Sequence, residues 1–164
     1  MARAGVETRQ GLRPNRWWSG ASVRCGKITI ATLCIDADGH ACLDPDRSVQ
    51  FELKSRDQKA VMELCIAVGM FVDRMSLTGI TLRIGPSTGP KVGKAQSHIC
   101  EAVLYLIGVA PVVTVNANSL GGFMRAKGYE VGSQARDQCW QYAFGAAAYA
   151  AERDGVEVKF QVQE

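Results

Sequence analysis

Extended and helical segments follow one another along this chain in an order that few folds share. Three consecutive segments rich in β-branched residues are predicted as strands: Trp17–Arg24, Lys27–Asp36, and a third from His40 to Leu53 that is interrupted at Asp44-Pro45-Asp46. Cys25 and Gly26 fit a tight turn between the first two strands. Strands joined by so short a turn run antiparallel. The first third of the chain therefore predicts a three-stranded antiparallel unit.

Helices alternate with strands in the rest of the sequence. The predicted elements are a helix that begins at Ser55 with a capping box to Gln58, the strand Ile80–Ile84, the helix Ala95–Leu106, the strand Pro111–Val115, the short helix Ser119–Lys127 and the long helix Ala135–Arg153. The strand Pro111–Val115 is apolar enough to predict a place inside the sheet. The tail Val156–Val162 is predicted either to add a short strand or to fray. This order predicts an α/β fold, a mixed sheet with helices on its faces.

Length and charge favour one domain with a basic extension. A chain of 164 residues is long enough for one core, and 47% hydrophobic and 21% charged residues are typical of a soluble globular protein. Residues 1–15 have almost no apolar periodicity and are predicted as a flexible basic extension, with residues 16–164 as the single domain. Positive charge collects at the start of the chain and again between Arg83 and Lys94. Such patches either contact phosphate or are solvated surface.

Several common sites are absent from the sequence pattern. None of the six cysteines forms a CxxC pair, and His40 and His98 have no ligand spacing, so we expect neither a zinc site nor another cofactor. Cysteines within apolar runs indicate a reducing, cytoplasmic setting. No apolar stretch approaches the roughly 20 residues that cross a bilayer. Asp36, Asp38 and Gly39 are interpreted as a turn rather than a calcium loop, which needs more ligands.

The loop from Gly85 to Ala95 lies between a strand and a helix, as a phosphate loop does. Its spacing is wrong for that function: only three residues separate Gly89 from Gly93-Lys94, and Ala95 stands where a hydroxyl would hold magnesium. Pro86 and Pro90 also remove backbone N–H donors. A nucleotide-binding function is therefore disfavoured.

The element order resembles that of the RNase H-like superfamily, in its RuvC-related branch. Local stretches are similar to a little-characterised bacterial RuvC-like family of unknown function: the strand Ile80–Ile84 with the loop after it, the segment His98–Leu106, the segment Val115–Gly128 and the segment Ala143–Ala150. The resemblance extends from about Trp18 to Arg153. It implies a three-layer fold built around the predicted mixed sheet.

The resemblance also implies where a catalytic centre would lie. RuvC-like nucleases hold two metal ions with carboxylates from the first strand, the central strand and the last helix, because hard divalent cations prefer oxygen ligands. The matching positions here are Ser22, Gly85 (at or beside Gly85-Pro86) and Ser133. The segment Trp17–Arg24 contains no acid. We therefore expect the metal site to be lost.

Two acids near these positions leave an alternative open. Asp137, one turn into the last helix, is either a surviving ligand or a solvated charge paired with Arg136 or Arg153. Glu101 matches a glutamate of the family, but its apolar neighbours favour a structural role.

Three functions remain open at this point. The leading hypothesis is a catalytically inactive RuvC-like domain that binds nucleic acid or a nucleoprotein complex, with phosphate contacts from Arg24, Arg83, Lys91 and Lys94. The first alternative is a protein-binding inhibitor, adaptor or assembly subunit, encoded by a phage or another mobile element. The second is a metal-dependent nuclease with relocated ligands, chosen from Asp137, Glu101 and Asp36. Fold alone does not decide among them.

Overall fold

In the computed structural model, residues 16–85, 95–132 and 134–161 are described. The elements run in the order β1 Trp17–Arg24, β2 Lys27–Ile35, β3 Ala41–Leu43, a 3₁₀ turn Pro45–Arg47, β4 Val49–Glu52, α1 Gln58–Arg74, β5 Ile80–Ile84, α2 Ala95–Leu106, β6 Val112–Asn116, α3 Ala117–Ala126 and α4 Ala135–Arg153. The strands form one sheet in the order β3-β2-β1-β5-β6, and β4 also pairs with β2. The predicted mixed α/β sheet is confirmed.

The first three predicted strands form as expected. β1 and β2 pair antiparallel across Cys25 and Gly26, whose φ angles of 50° and 73° are those of a primed hairpin turn. β3 and β4 both pair with β2, and the 3₁₀ turn separates them. Ser48 bridges this interruption, because its Oγ accepts from Thr32 N and donates to the Asp44 carbonyl. The two short strands are therefore one interrupted third strand.

The sheet separates two layers of helices. α1 and α2 cover one face, where they enclose a core of residues from β1, β2 and β5, among them Ala21, Ile30 and Leu82. α4 covers the opposite face and is the helix in closest contact with β1 and β2. Side chains alternate along a strand, so Gly20 and Ser22, the neighbours of Ala21, face α4. β1, β5 and β6 run parallel, which brings their carboxyl ends to one edge of the sheet.

α4 lies directly on the backbone of β1. A Cβ on Gly20 would overlap the carbonyl oxygen of Ala143 and the amide nitrogen of Ala147. The alanine-rich surface of α4 permits this approach, and Ala143, Ala146 and Ala147 are fully buried. The packing therefore fixes the distance between the middle of α4 and β1.

Two predicted boundaries are wrong for local reasons. Asp57 caps α1 in place of Ser55, since the Asp57 carboxylate accepts the Ala60 N–H at 2.9 Å and Ser55 donates to Asp57. Asn116 caps α3, which begins at Ala117 rather than at Ser119. The helix therefore follows β6 directly.

β6, which was predicted to lie inside the sheet, is instead an outermost strand. Within the described residues β6 pairs only with β5, and Val115 is its one buried side chain. Val113 is 41% exposed. The prediction from apolar composition was therefore wrong. The position of a strand in a sheet depends on pairing between distant segments of the chain, which composition does not encode.

The remaining expectations concern the tail and the thiols. Of the tail, Lys159 forms one bridge to His40 and Val158 is buried, while residues 162–164 lie outside the described ranges. No disulfide joins any of the six cysteines, all of which lie within the described ranges. No helix in the described part of the chain is long and apolar enough to cross a membrane. The predicted extension, residues 1–15, also lies outside the described residues, and that domain boundary stays a prediction.

Candidate nucleic-acid interface

The candidate site lies where the carboxyl ends of β1 and β5 meet the amino-terminal half of α4. Ser22 and Arg83 are direct partners in the parallel pairing of β1 with β5. Along their strands, Ser22 and Arg83 each lie next to residues whose side chains are buried against α1 and α2. Because successive side chains point to opposite faces of a sheet, both side chains point toward α4. Ser22 is buried, whereas Arg83 is half-buried. Two of the positions singled out from the sequence are therefore brought together.

Arg83 is the central charged group of this site. Its guanidinium carbon lies 4.0 Å from the centroid of the Tyr142 ring, which α4 presents over the end of β5. Its Nε is buried and has no hydrogen-bond partner among the described residues. Burial lowers the pKa of the Arg83 guanidinium, the Tyr142 hydroxyl opposes that effect, and the neighbouring Arg24 adds to it. An arginine remains charged at neutral pH in spite of such a shift.

A second cation, Arg24, lies near Arg83, together with the neutral side chains of Gln138 and Cys139. Arg24, at the end of β1, donates to the side-chain oxygen of Gln138 in the first turns of α4. Lys27 pairs with Arg24 across the hairpin. Cys139 is buried beside them, and burial raises the pKa of its thiol, whereas Arg24, Lys27 and a hydrogen bond with Thr29 act in the opposite direction. Arg24 and Lys27, at the turn between β1 and β2, therefore add positive charge to this site.

The residues present do not fit the two metal ions that the resemblance implies. A two-metal centre needs carboxylates that face one another. Here β1 offers Ser22, β5 offers Arg83 and then the exposed Gly85, and Ser133 lies outside the described residues. Two divalent ions would lie against the guanidinium of Arg83, which repels them. The loss of the acidic ligands at Ser22 and Gly85 stays a prediction.

Asp137 is exposed in the first turn of α4, where a carboxylate suits the helix dipole. It belongs to no salt bridge among the described side chains, and the side chain of Arg136 is not among them. Arg153 ends the same helix, about 24 Å away along its axis. The suggested pairing of Asp137 with Arg153 is therefore wrong.

The other proposed relocated ligands lie elsewhere. Glu101 is on α2, across the sheet from α4, with its carboxylate 3.8 Å from His98. Asp36 follows β2, which is antiparallel to β1 and therefore ends at the opposite edge of the sheet. Among the described residues, the one group of three potential metal ligands is Asp36, Asp38 and His40. There the Asp36 carboxylate accepts the backbone N–H groups of the other two, as the predicted turn requires.

The last two residues predicted to contact phosphate are lysines. Lys91 and Lys94, predicted to contact phosphate, lie outside the described residues. The described chain stops at Gly85, directly after Arg83 and Ile84, and resumes at Ala95. Gln96 in the first turn of α2 lies beside Gly26 of the β1–β2 turn. Both ends of this loop therefore adjoin the edge of the sheet that holds Arg24 and Arg83.

Three site residues were not predicted. Tyr142, Gln138 and Cys139 all lie on α4. Tyr142 does pack against a buried cluster, but its ring also supports Arg83. A possible signal was the four-residue spacing of Gln138 and Tyr142, which places polar groups on one side of an otherwise alanine-rich helix.

Comparison with known proteins supports the fold. No protein-family model and no curated protein matches the sequence. The structure is similar to Thermus thermophilus RuvC, with a TM-score of 0.64 and 9% identity over 86% of this chain and 98% of RuvC. T. thermophilus RuvC in complex with a Holliday junction substrate gives a TM-score of 0.62 at the same identity and coverage. The yeast mitochondrial Holliday junction resolvase Ydc2 gives 0.51 at 9% identity, over 93% of this chain and 69% of Ydc2.

These similarities define an RNase H-like fold of the RuvC-like kind. The element order and the predicted sheet are thereby confirmed. At 9% identity the similarity extends to the fold and not to the chemistry. Function has to be argued from the side chains at the edge of the sheet.

Proposed function

We propose that this protein is a RuvC-like domain that binds the phosphate backbone of nucleic acid and does not cleave it. The proposed contact surface is the edge of the sheet at the ends of β1 and β5, with Arg24 and Arg83 at its centre. Lys91 and Lys94 are proposed to contribute to it, because the described residues that flank their segment, Gly85 and Ala95, adjoin this edge. T. thermophilus RuvC, which has the same fold, is known in complex with a Holliday junction substrate. A nucleic-acid partner is consistent with that likeness at a coarse level.

The observation that carries the proposal is the charge of Arg83, which forms no salt bridge with any described residue. A half-buried guanidinium normally has a carboxylate or a full set of acceptors around it, because an unpaired charge is costly to bury. Among the described residues Arg83 has the Tyr142 ring, an unpartnered Nε and a second arginine nearby. An anion bound from solvent would supply the missing acceptors. Phosphate suits a planar guanidinium, which donates two parallel N–H groups to it.

The arrangement favours the backbone over the bases. The guanidinium of Arg83 covers a face of the Tyr142 ring, which is therefore not available on that face to stack on a base. Ser22 is buried and does not reach a base from the surface. Contacts from arginine and lysine to phosphate neutralise charge but carry no sequence information. The proposed binding is therefore nearly independent of sequence and strongly dependent on salt.

We expect no magnesium- or manganese-dependent cleavage of branched, double-stranded or single-stranded DNA, or of RNA. The reason is that Ser22, Arg83 and Gly85 provide no carboxylates for two ions at the ends of β1 and β5. The measurement is a gel assay of labelled substrates over a series of metal concentrations. Binding should also survive EDTA, since arginine rather than metal neutralises the phosphate.

Metal-dependent cleavage that disappears in Asp137→Asn would contradict this expectation and favour relocated ligands. Glu130→Gln is the matched control, because Glu130 is an exposed acid outside the site. Cleavage that survives Asp137→Asn points to a contaminating nuclease, so a second purification has to precede the conclusion. Loss of activity in Asp137→Asn alone, with Glu130→Gln still active, would establish a true metal site.

The double change Lys91→Glu and Lys94→Glu should weaken binding to all sequences by a similar factor. Each lost phosphate contact should reduce the slope of log K against log salt by about 0.9 on duplex DNA, or about 0.7 on single strands. Fluorescence anisotropy over a range of salt concentrations measures both quantities. Stability should change by less than about 0.5 kcal/mol, as for other loop substitutions. Unchanged affinity in the folded double mutant would remove the loop from the proposed surface.

The protein-binding alternative predicts a different result in the same assay. An inhibitor or adaptor with this fold needs no affinity for nucleic acid, so the wild type would show none even at low salt. Measurable affinity that falls steeply with salt supports the phosphate-binding proposal.

A further inference from the structure

The outward face of α1 carries an apolar stripe. Met62, Ile66 and Met70 are 55%, 58% and 67% exposed, and their spacing of four residues places them in line on one side of the helix. The opposite side of α1 is buried in the core through Leu64, Val68, Phe71 and Val72. Scattered exposed apolar residues are ordinary, whereas three in line form a contiguous patch of the kind found at interfaces.

A charged residue stands at each end of this stripe. Lys59 lies in the first turns of α1 and Asp73 near its carboxyl end, and both are within about 20° of the direction in which Ile66 points. Each charge has the unfavourable sign for its end of the helix dipole. Lys59 is 3.9 Å from Glu63, an exposed pair of little energetic value, and Asp73 forms no salt bridge within the described residues. Neither charge is well compensated by the described residues.

We propose that α1 binds α1 of a second copy of this chain, antiparallel, with a two-fold axis at Ile66. The stripe is symmetric about that residue: Met62 and Met70 are equally distant from it, and so are Lys59 and Asp73. An antiparallel pair centred there therefore places Ile66 against the partner's Ile66, Met62 against the partner's Met70 and Lys59 opposite the partner's Asp73. Such a two-fold contact uses the same patch on both copies.

Charge complementarity favours an antiparallel second copy of α1 over other partners for this stripe. In the antiparallel pair the Lys59–Asp73 attraction occurs twice, and each charge lies beside the end of the neighbouring helix that suits its sign. A parallel pair would instead set Lys59 against Lys59 and Asp73 against Asp73. Gly69, on the same face, has nothing within 4 Å of its Cβ position, so it leaves room for a close approach. This inference is independent of the proposed phosphate binding.

Sedimentation equilibrium of the full chain tests the contact. We expect a concentration-dependent mass that approaches twice the monomer mass, and Ile66→Glu should shift the dissociation constant upward by at least about tenfold, since two glutamates would face each other on the axis. Leu106→Glu is the control, because Leu106 is 77% exposed on α2 and lies outside the stripe. A monomer at every concentration, or dissociation by Leu106→Glu and not by Ile66→Glu, would overturn the proposal. Circular dichroism verifies that each variant is folded.

Charge reversal tests the orientation. Lys59→Asp alone and Asp73→Lys alone should each weaken the dimer by about three- to tenfold, because each creates two like-charge contacts. The double variant with both changes restores opposite charges and should return to within about twofold of the wild type. Additive weakening in the double variant would exclude the antiparallel arrangement.

Discussion

Gly20→Ala should reduce the free energy of unfolding by about 3 kcal/mol and lower the melting temperature by roughly 10 °C. The added methyl group would overlap the main chain of α4 at Ala143 and Ala147, and main chain cannot rotate away as a side chain does. The helix has to shift outward, which opens the alanine-packed layer that it forms against β1 and β2. Urea denaturation followed by circular dichroism measures the loss.

Gly122→Ala is the matched control. Gly122 lies within α3, and nothing is within 4 Å of its Cβ position, so alanine should preserve or slightly raise stability through its higher helix propensity. A Gly20→Ala variant as stable as Gly122→Ala would show that α4 does not lie against β1 as closely as described. The position of the candidate site would then be in doubt as well.

Arg83→Met should separate binding from stability. Loss of a charged donor pair to phosphate is expected to reduce nucleic-acid affinity by roughly ten- to a hundredfold. Stability should hold or rise, because burial disfavours the charged guanidinium, as the lowered pKa of Arg83 indicates, and methionine can still pack on the Tyr142 ring. Anisotropy titration and thermal unfolding of the same preparation measure the two effects.

Arg153→Met is the control for the loss of a positive charge outside the candidate site. Arg153 is exposed at the far end of α4, so its removal should change affinity only slightly. A marked drop in melting temperature for Arg83→Met would identify Arg83 as a structural residue. Equal losses of affinity in both variants would indicate a diffuse electrostatic attraction in place of a site at Arg83.

Much of the fold was predictable because its signals are local. The alternation in Trp17–Arg24 and Lys27–Asp36, with Cys25-Gly26 between them, specified the hairpin. A glycine in the middle of β1 and the run Ala143–Ala150 also carried a signal for close packing of the last helix, although neither identified the other as its partner. The edge position of β6 could not be predicted, since strand order depends on contacts between distant parts of the chain.

The candidate site was predictable only in part. The resemblance to RuvC-related proteins placed Arg24, Arg83 and Ser22 near one edge of the sheet, and the structure brings them there. The Tyr142 ring under Arg83 and the Gln138 partner of Arg24 depend on the rotation of α4, which its weakly amphipathic, alanine-rich sequence does not determine. That the Nε of Arg83 has no partner among the described residues is likewise a property of packing alone.

The salt dependence of nucleic-acid binding tests the central claim most directly, when the wild type is compared with the double variant Arg24→Gln, Arg83→Gln. If these two arginines neutralise backbone phosphates, the slope of log K against log salt on duplex DNA should be shallower in the variant by about 1.8, which is two contacts at about 0.9 each. Random duplexes of different sequence should give the same difference. An unchanged slope in a folded variant, with wild-type affinity retained, would contradict a phosphate-binding site at the ends of β1 and β5.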